Sequence, residues 1–153
     1  MSILLLALAL AAPGDHDTHP GRSRDELRCT LRVHALDDVG QPQSARRVSA
    51  AAVPAVVFRG RVEPKDEQSP PLLFDVYSPR GLRYQVLLGT PRVRVTERHG
   101  ERVERTTRAR EAALAVAGSS IELTSMYGRW RVEPRLEGDS RACGRPEYFT
   151  IRP

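Results

Sequence analysis

LRCTLRVHAL (residues 27–36) alternates with a period of two: Leu27, Cys29, Leu31, Val33 and Ala35 take one side, Arg28, Thr30, Arg32 and His34 the other. Successive side chains project to opposite faces only in an extended chain, so the stretch predicts a half-buried strand with Cys29 facing inward. The same period returns further on. VVFRGRVEP (56–64) reads as a strand carrying Phe58 and Val62, and LLFDVYSPRGLRYQVLLG (72–89) reads as a hairpin. Its outgoing limb puts Leu72, Phe74 and Val76 on one face, and its return limb carries Leu82, Tyr84, Val86 and Leu88. At the turn between them, Pro79 presets one dihedral and Gly81 admits a positive φ.

A second hairpin is expected in PRVRVTERHGERVERTTRAR (91–110), with His99-Gly100 as its turn. Its return limb admits a helical turn around residues 111–114, but the adjacent Thr106 and Thr107 favour a strand, and a strand is the expectation. Ile121 and Leu123 alternate ahead of Tyr127 and read as extended. Then Trp130, Val132 and Leu136 face one way while Arg129, Arg131, Glu133 and Arg135 face the other. Pro134 has no N–H for a ladder, so this strand is expected at an edge or a bulge. Phe149 and Ile151 mark a last strand. The stretch 37–54 is turn-rich and then Ala-rich, and reads as a loop with a brief edge strand.

These segments amount to about 7–9 turn-separated strands, the requirement of an all-β antiparallel sandwich. Composition agrees, with 5% aromatic residues, 12 Pro and 11 Gly, a mix that suits short strands and turns better than long helices. Tyr127-Gly128-x-Trp130 entering a late strand, a Gly138-Asp139 turn and a final strand together resemble the ending of bacterial secreted immunoglobulin-like β-sandwich domains. The resemblance covers the last third of the chain. It implies an immunoglobulin-like sandwich over residues 27–153, although the Cys, Trp, Cys spacing of antibody domains is missing. It implies a fold and no activity.

At 153 residues the chain fits one domain. Residues 1–11 read as a signal peptide, with an apolar run over 3–12, Ala9 and Ala11 as the small-residue cleavage pattern, and too few apolar residues for a membrane span. That run lacks the preceding Lys or Arg a leader normally has. Residues 12–26 are expected to be flexible. Cys29 and Cys143, 114 positions apart and in no C-x-x-C pattern, are expected to form one disulfide in an oxidising compartment. Periplasmic or secreted localisation follows as the expectation, without a transmembrane anchor.

Charge is carried by 23 Arg and a single Lys against 19 acidic residues, a net +5. Seven Arg lie between residues 92 and 110, and Arg92, Arg94, Arg98 and Arg102 are the candidate polyanion-binding residues. Glu97, Glu101 and Glu104 are interleaved with them, so a solvated face of mixed sign is the plainer reading. The absence of stacking aromatics from this hairpin argues against nucleic acid as a partner.

At the amino terminus Asp15, His16, Asp17 and His19 are metal-competent, and a periplasmic metal-binding accessory role through His16 and His19 is one alternative. A short polar tail supplies neither rigid scaffold nor oriented outer partners, so no metal or cofactor is assigned. G-x-S-x-G, H-E-x-x-H and P-loop motifs are missing, and Gly118-Ser119-Ser120 has no His nearby in sequence to act as base. The expectation is a non-enzymatic binding or structural module of the bacterial envelope or extracellular space, meeting a protein or a surface polymer. Its oligomeric state is not encoded in any pattern found here.

Overall fold

The computed structural model describes residues 27–63 and 69–153, leaving aside the side chain of Arg98. The expected signal peptide and flexible segment, with His16 and His19, lie outside the described residues. Ten strands and one helical turn follow in order: β1 (Arg28–Leu36), β2 (Pro42–Ser44), β3 (Arg47–Ser49), β4 (Ala55–Glu63), β5 (Leu72–Tyr77), β6 (Arg83–Leu88), β7 (Thr90–Arg98), β8 (Glu101–Ala115), α1 (Ser120–Leu123), β9 (Gly128–Leu136) and β10 (Glu147–Arg152). They form two five-stranded sheets, β2-β1-β4-β8-β7 and β3-β10-β9-β5-β6. All ladders are antiparallel except that of β3 with β10. The orders β1-β4-β8-β7 and β10-β9-β5-β6 reproduce, strand for strand along the chain, the A-B-E-D and G-F-C-C′ sheets of an immunoglobulin-like sandwich. The two three-residue strands β2 and β3 occupy the stretch that has no clear period in sequence.

The alternation read from residues 27–36 holds. Cys29, Leu31 and Ala35 are buried, and the intervening positions face out or are half-buried. All three Phe and the single Trp meet in the core. Phe58 reaches from the first sheet to Phe74 and Phe149 of the second, with ring centroids 5.9 and 5.8 Å apart. Trp130 stacks on Phe149 at 6.1 Å and receives Tyr84 edge-on at 5.2 Å. Offset and T-shaped pairs of this kind add about 0.5–1.5 kcal/mol each beyond their buried area.

Three expectations are corrected. The residues Leu82, Tyr84, Val86 and Leu88 do not share an inward face: Leu82 is 69% exposed and Leu88 is 55% exposed, while Tyr84 and Leu87 pack on the core. The β5–β6 register slips by one between Val76 and Tyr77, leaving Tyr84 as the extra residue, and a bulge of one residue reverses which side chains point inward. Ile121 and Leu123 lie in α1 instead of a strand. Ser119 caps that turn by accepting from Ile121 N at 3.1 Å, so the Ser-x-x-Glu spacing of Ser119 and Glu122 outweighed two alternating residues.

The third correction concerns β9, which lies inside its sheet, between β10 and β5, despite Pro134. The Pro134 carbonyl accepts from Cys143 N at 2.9 Å, on the side away from β5. Strand β10 pairs no further along β9 than Val132, so no ladder donor is missing where proline cannot supply one.

The expected disulfide is present: Cys29 and Cys143 are bonded, with Cα atoms 5.1 Å apart. It ties β1 to the β9–β10 connection instead of joining β4 to β9, the B and F strands that the antibody disulfide links. Cys29 N also donates to Cys143 O at 2.7 Å. Gly144 lies so close that a Cβ there would collide with the Cys29 carbonyl oxygen.

Candidate binding surface

The β7–β8 hairpin is anchored at one end only. Strand β8 pairs with β4 from Arg110 to Ala115, whereas from Glu101 to Thr106 its ladder is with β7 alone. The chain enters β7 from β6 through Gly89, crossing from the second sheet to the first within one residue. Gly89 is buried there, and a Cβ would come within 2.9 Å of both Arg110 Cβ and Leu72 O. The far turn has His99 at φ 53° and Gly100 at φ 78°, the paired positive values of a two-residue hairpin turn whose twist matches the strands. A two-stranded ribbon therefore projects past β4, with every β7 residue from Thr90 to Glu97 exposed.

Register sorts the charges that sequence interleaves. Directly opposed residues share a face, and the pairs Val93–Thr106, Val95–Glu104 and Glu97–Arg102 alternate with Arg94–Arg105 and Thr96–Val103. Glu97, Arg102 and Glu104 thus share one face, where Arg102 lies 3.2 Å from Glu104. The other face holds Arg94 directly across from Arg105, with Glu101 on the same face four residues along β8 at the turn. Among the described residues neither of these two arginines forms an ion pair. Like charges placed directly opposite are destabilising, by up to about 1 kcal/mol in exposed sheets.

Of the four arginines singled out in sequence, Arg94 is on this face, Arg102 is on the reverse one, and Arg98 is paired in backbone register with Glu101. Arg92 sits at the root of the ribbon, 3.9 Å from Glu111. Glu111 also takes Arg59 Nε at 2.5 Å, linking the ribbon to the outer face of the first sheet. Arg59 is in turn opposite Arg32 of β1. Arg105 as the partner of Arg94, and Arg32 as that of Arg59, were missed, because only cross-strand pairing brings them together. His34 lies on β1 two residues from Arg32, within reach of the charges of Arg59 and Arg92. Burial holds its imidazole below the ordinary value of 6.5, Arg59 and Arg92 push the same way, and Glu111 opposes them.

The outer face of the second sheet is also rich in arginine, but there the three arginines of β9 are each engaged. Arg135 grips Asp75 through Nε to Oδ2 at 2.5 Å and Nη2 to Oδ1 at 3.0 Å, and Asp75 is only 3% exposed. Arg131 lies 4.2 Å from the Tyr77 ring centre and Arg129 lies 4.1 Å from that of Tyr148. Among the described residues no group of three or more His, Cys, Asp or Glu has a metal-holding arrangement, and no helix is long and apolar enough to cross a membrane.

No family model and no curated protein matches the chain. Among solved structures it is similar to an immunoglobulin-like protein from Pseudomonas aeruginosa, at 16% identity and a TM-score of 0.45, over 83% of this chain and 97% of that one.

Proposed function

We propose that the protein is a non-enzymatic, exported binding module whose β7–β8 ribbon and the adjoining face of the first sheet engage a polyanionic polymer of the bacterial envelope or extracellular space. The observation that carries this reading is Arg94 opposite Arg105 on a free-standing ribbon, with no described carboxylate paired to either. A packed sheet gains nothing from such a pair, whereas a chain of closely spaced anions meets both guanidinia at once. Export is supported by the disulfide, which persists in oxidising compartments, and by the apolar run at residues 3–12.

Retention on immobilised heparin tests the contact. The intact protein is expected to stay bound beyond about 0.5 M salt, where diffuse attraction is screened, and an Arg94→Thr/Arg105→Thr double variant to elute well before it. Co-elution of the two at low salt would defeat the reading. The export half fails separately if alkylation without reductant labels both Cys29 and Cys143 in protein taken from its host.

A further inference from the structure

Beyond the ribbon, at the opposite end of β6 and about 20 Å away by the rise of an extended chain, a cleft of about 590 Å³ opens between the β5–β6 turn and the loop joining α1 to β9. We propose that this cleft is a second binding site, for a small amphipathic anion: one carboxylate head on an apolar body.

Its chemistry is one-sided. Arg80 and Arg83 line it, and among the described residues neither forms an ion pair and no carboxylate contributes to the lining. Leu82, Met126 and the rings of Tyr84 and Tyr127 supply apolar wall beside the guanidinia. A concave, mostly apolar pocket with a few convergent polar groups is the usual form of a small-molecule site, and a guanidinium presents the fork that a carboxylate matches.

The walls are built before any ligand arrives. Ser125 is held at φ 52° in the cleft lining, a conformation that non-glycine residues seldom adopt. Gly128 at φ 133° lets the two walls meet, since a Cβ there would lie 2.9 Å from Pro79 Cβ. The Tyr84 hydroxyl is fixed on Ser120 Oγ at 2.6 Å, and Trp130 Nε1 donates to Met126 O at 3.1 Å. A pocket held open in this way loses little ordering entropy on binding.

The same contacts provide the readout. Trp130 is the only tryptophan, is fully buried, touches Tyr84 and is hydrogen-bonded to the cleft loop. Titration of the full chain with decanoate is expected to change Trp130 emission saturably. Decanol, with the same tail and no charge, is expected to bind at least about tenfold more weakly, as loss of a charge-assisted contact implies. Arg80→Ala/Arg83→Ala should lose that preference while keeping the near-ultraviolet spectrum of the folded protein. Arg94→Thr/Arg105→Thr should leave the decanoate curve unchanged, which separates this site from the ribbon. Equal affinity for decanoate and decanol, or a response that never saturates, overturns the proposal. So does partition onto anionic lipid vesicles without saturable binding of the free anion.

Discussion

Two arginines on two outer faces show how differently this molecule treats the same side chain. Arg135 on β9 is clamped in both directions, to the nearly buried Asp75 and, through Nη1, to the Asp139 carbonyl at 3.0 Å. Arg94 on β7 faces another arginine across the ladder and projects from a ribbon that no third strand supports. The contrast also divides β8 itself: Leu114 is buried in the core, while most side chains from Glu101 to Thr106 are in water. Stability is concentrated in the sandwich body. The ribbon adds little to it and retains the electrostatic cost of two arginines placed directly opposite each other.

The largest expected effect strikes the body. Replacing both cysteines, Cys29→Ala/Cys143→Ala, should lower unfolding free energy in a denaturant titration by about 4–5 kcal/mol, the chain-entropy value for a loop of this length. A loss below about 1 kcal/mol would show that β1 is held by its ladder to β4 alone. Next comes Asp75→Ala, which leaves the mostly buried Arg135 without its carboxylate. A loss of about 2–3 kcal/mol is expected, below the figure for complete burial because the Arg135 side chain keeps 17% exposure.

On the ribbon the sign reverses. Arg105→Glu turns a repulsive pair into an attractive one, so thermal unfolding should show a gain of about 0.5 kcal/mol while heparin retention falls. If stability and retention moved down together, the ribbon would be part of the structural body after all.

The smallest effect lies at the seam between the two regions. Because the folded pKa of His34 is depressed, the unfolded chain takes up the proton first. Its contribution to stability is therefore present above the unfolded value near 6.5, falls away as the pH drops through it, and levels off below the folded pKa. Charged neighbours on the facing strands are Arg59, Glu111 and Arg92. His34→Gln should flatten this acid slope, and saturating heparin should raise the His34 titration seen by NMR. An unmoved titration would place the bound polymer away from Arg59 and Arg92.

The hairpins, the inward set of β1, the Trp130 face of β9 and the disulfide were all legible because each depends on period two, on turn chemistry or on the redox logic of an isolated cysteine pair. The surface was legible only in part. Residues 92–110 announce their arginines, yet Glu97, Glu101 and Glu104 make the segment look evenly mixed when read along the chain.

By itself, then, the sequence determined an all-β sandwich, its principal strands and the staple near its ends, since alternation and turns are local properties. Tertiary structure alone decided which charges meet. Cross-strand register put Glu97, Arg102 and Glu104 on one side of the ribbon and Arg94 with Arg105, and Glu101 at the turn, on the other, and the β4–β8 ladder brought Arg59 to the ribbon's root. It also decided that Pro134 sits within a sheet and that Tyr84 turns inward, because both depend on where a neighbouring strand stops or slips by one residue. The physical reason is that a strand's own pattern says which residues share a face, but the residues opposite them are supplied by chain far away in sequence.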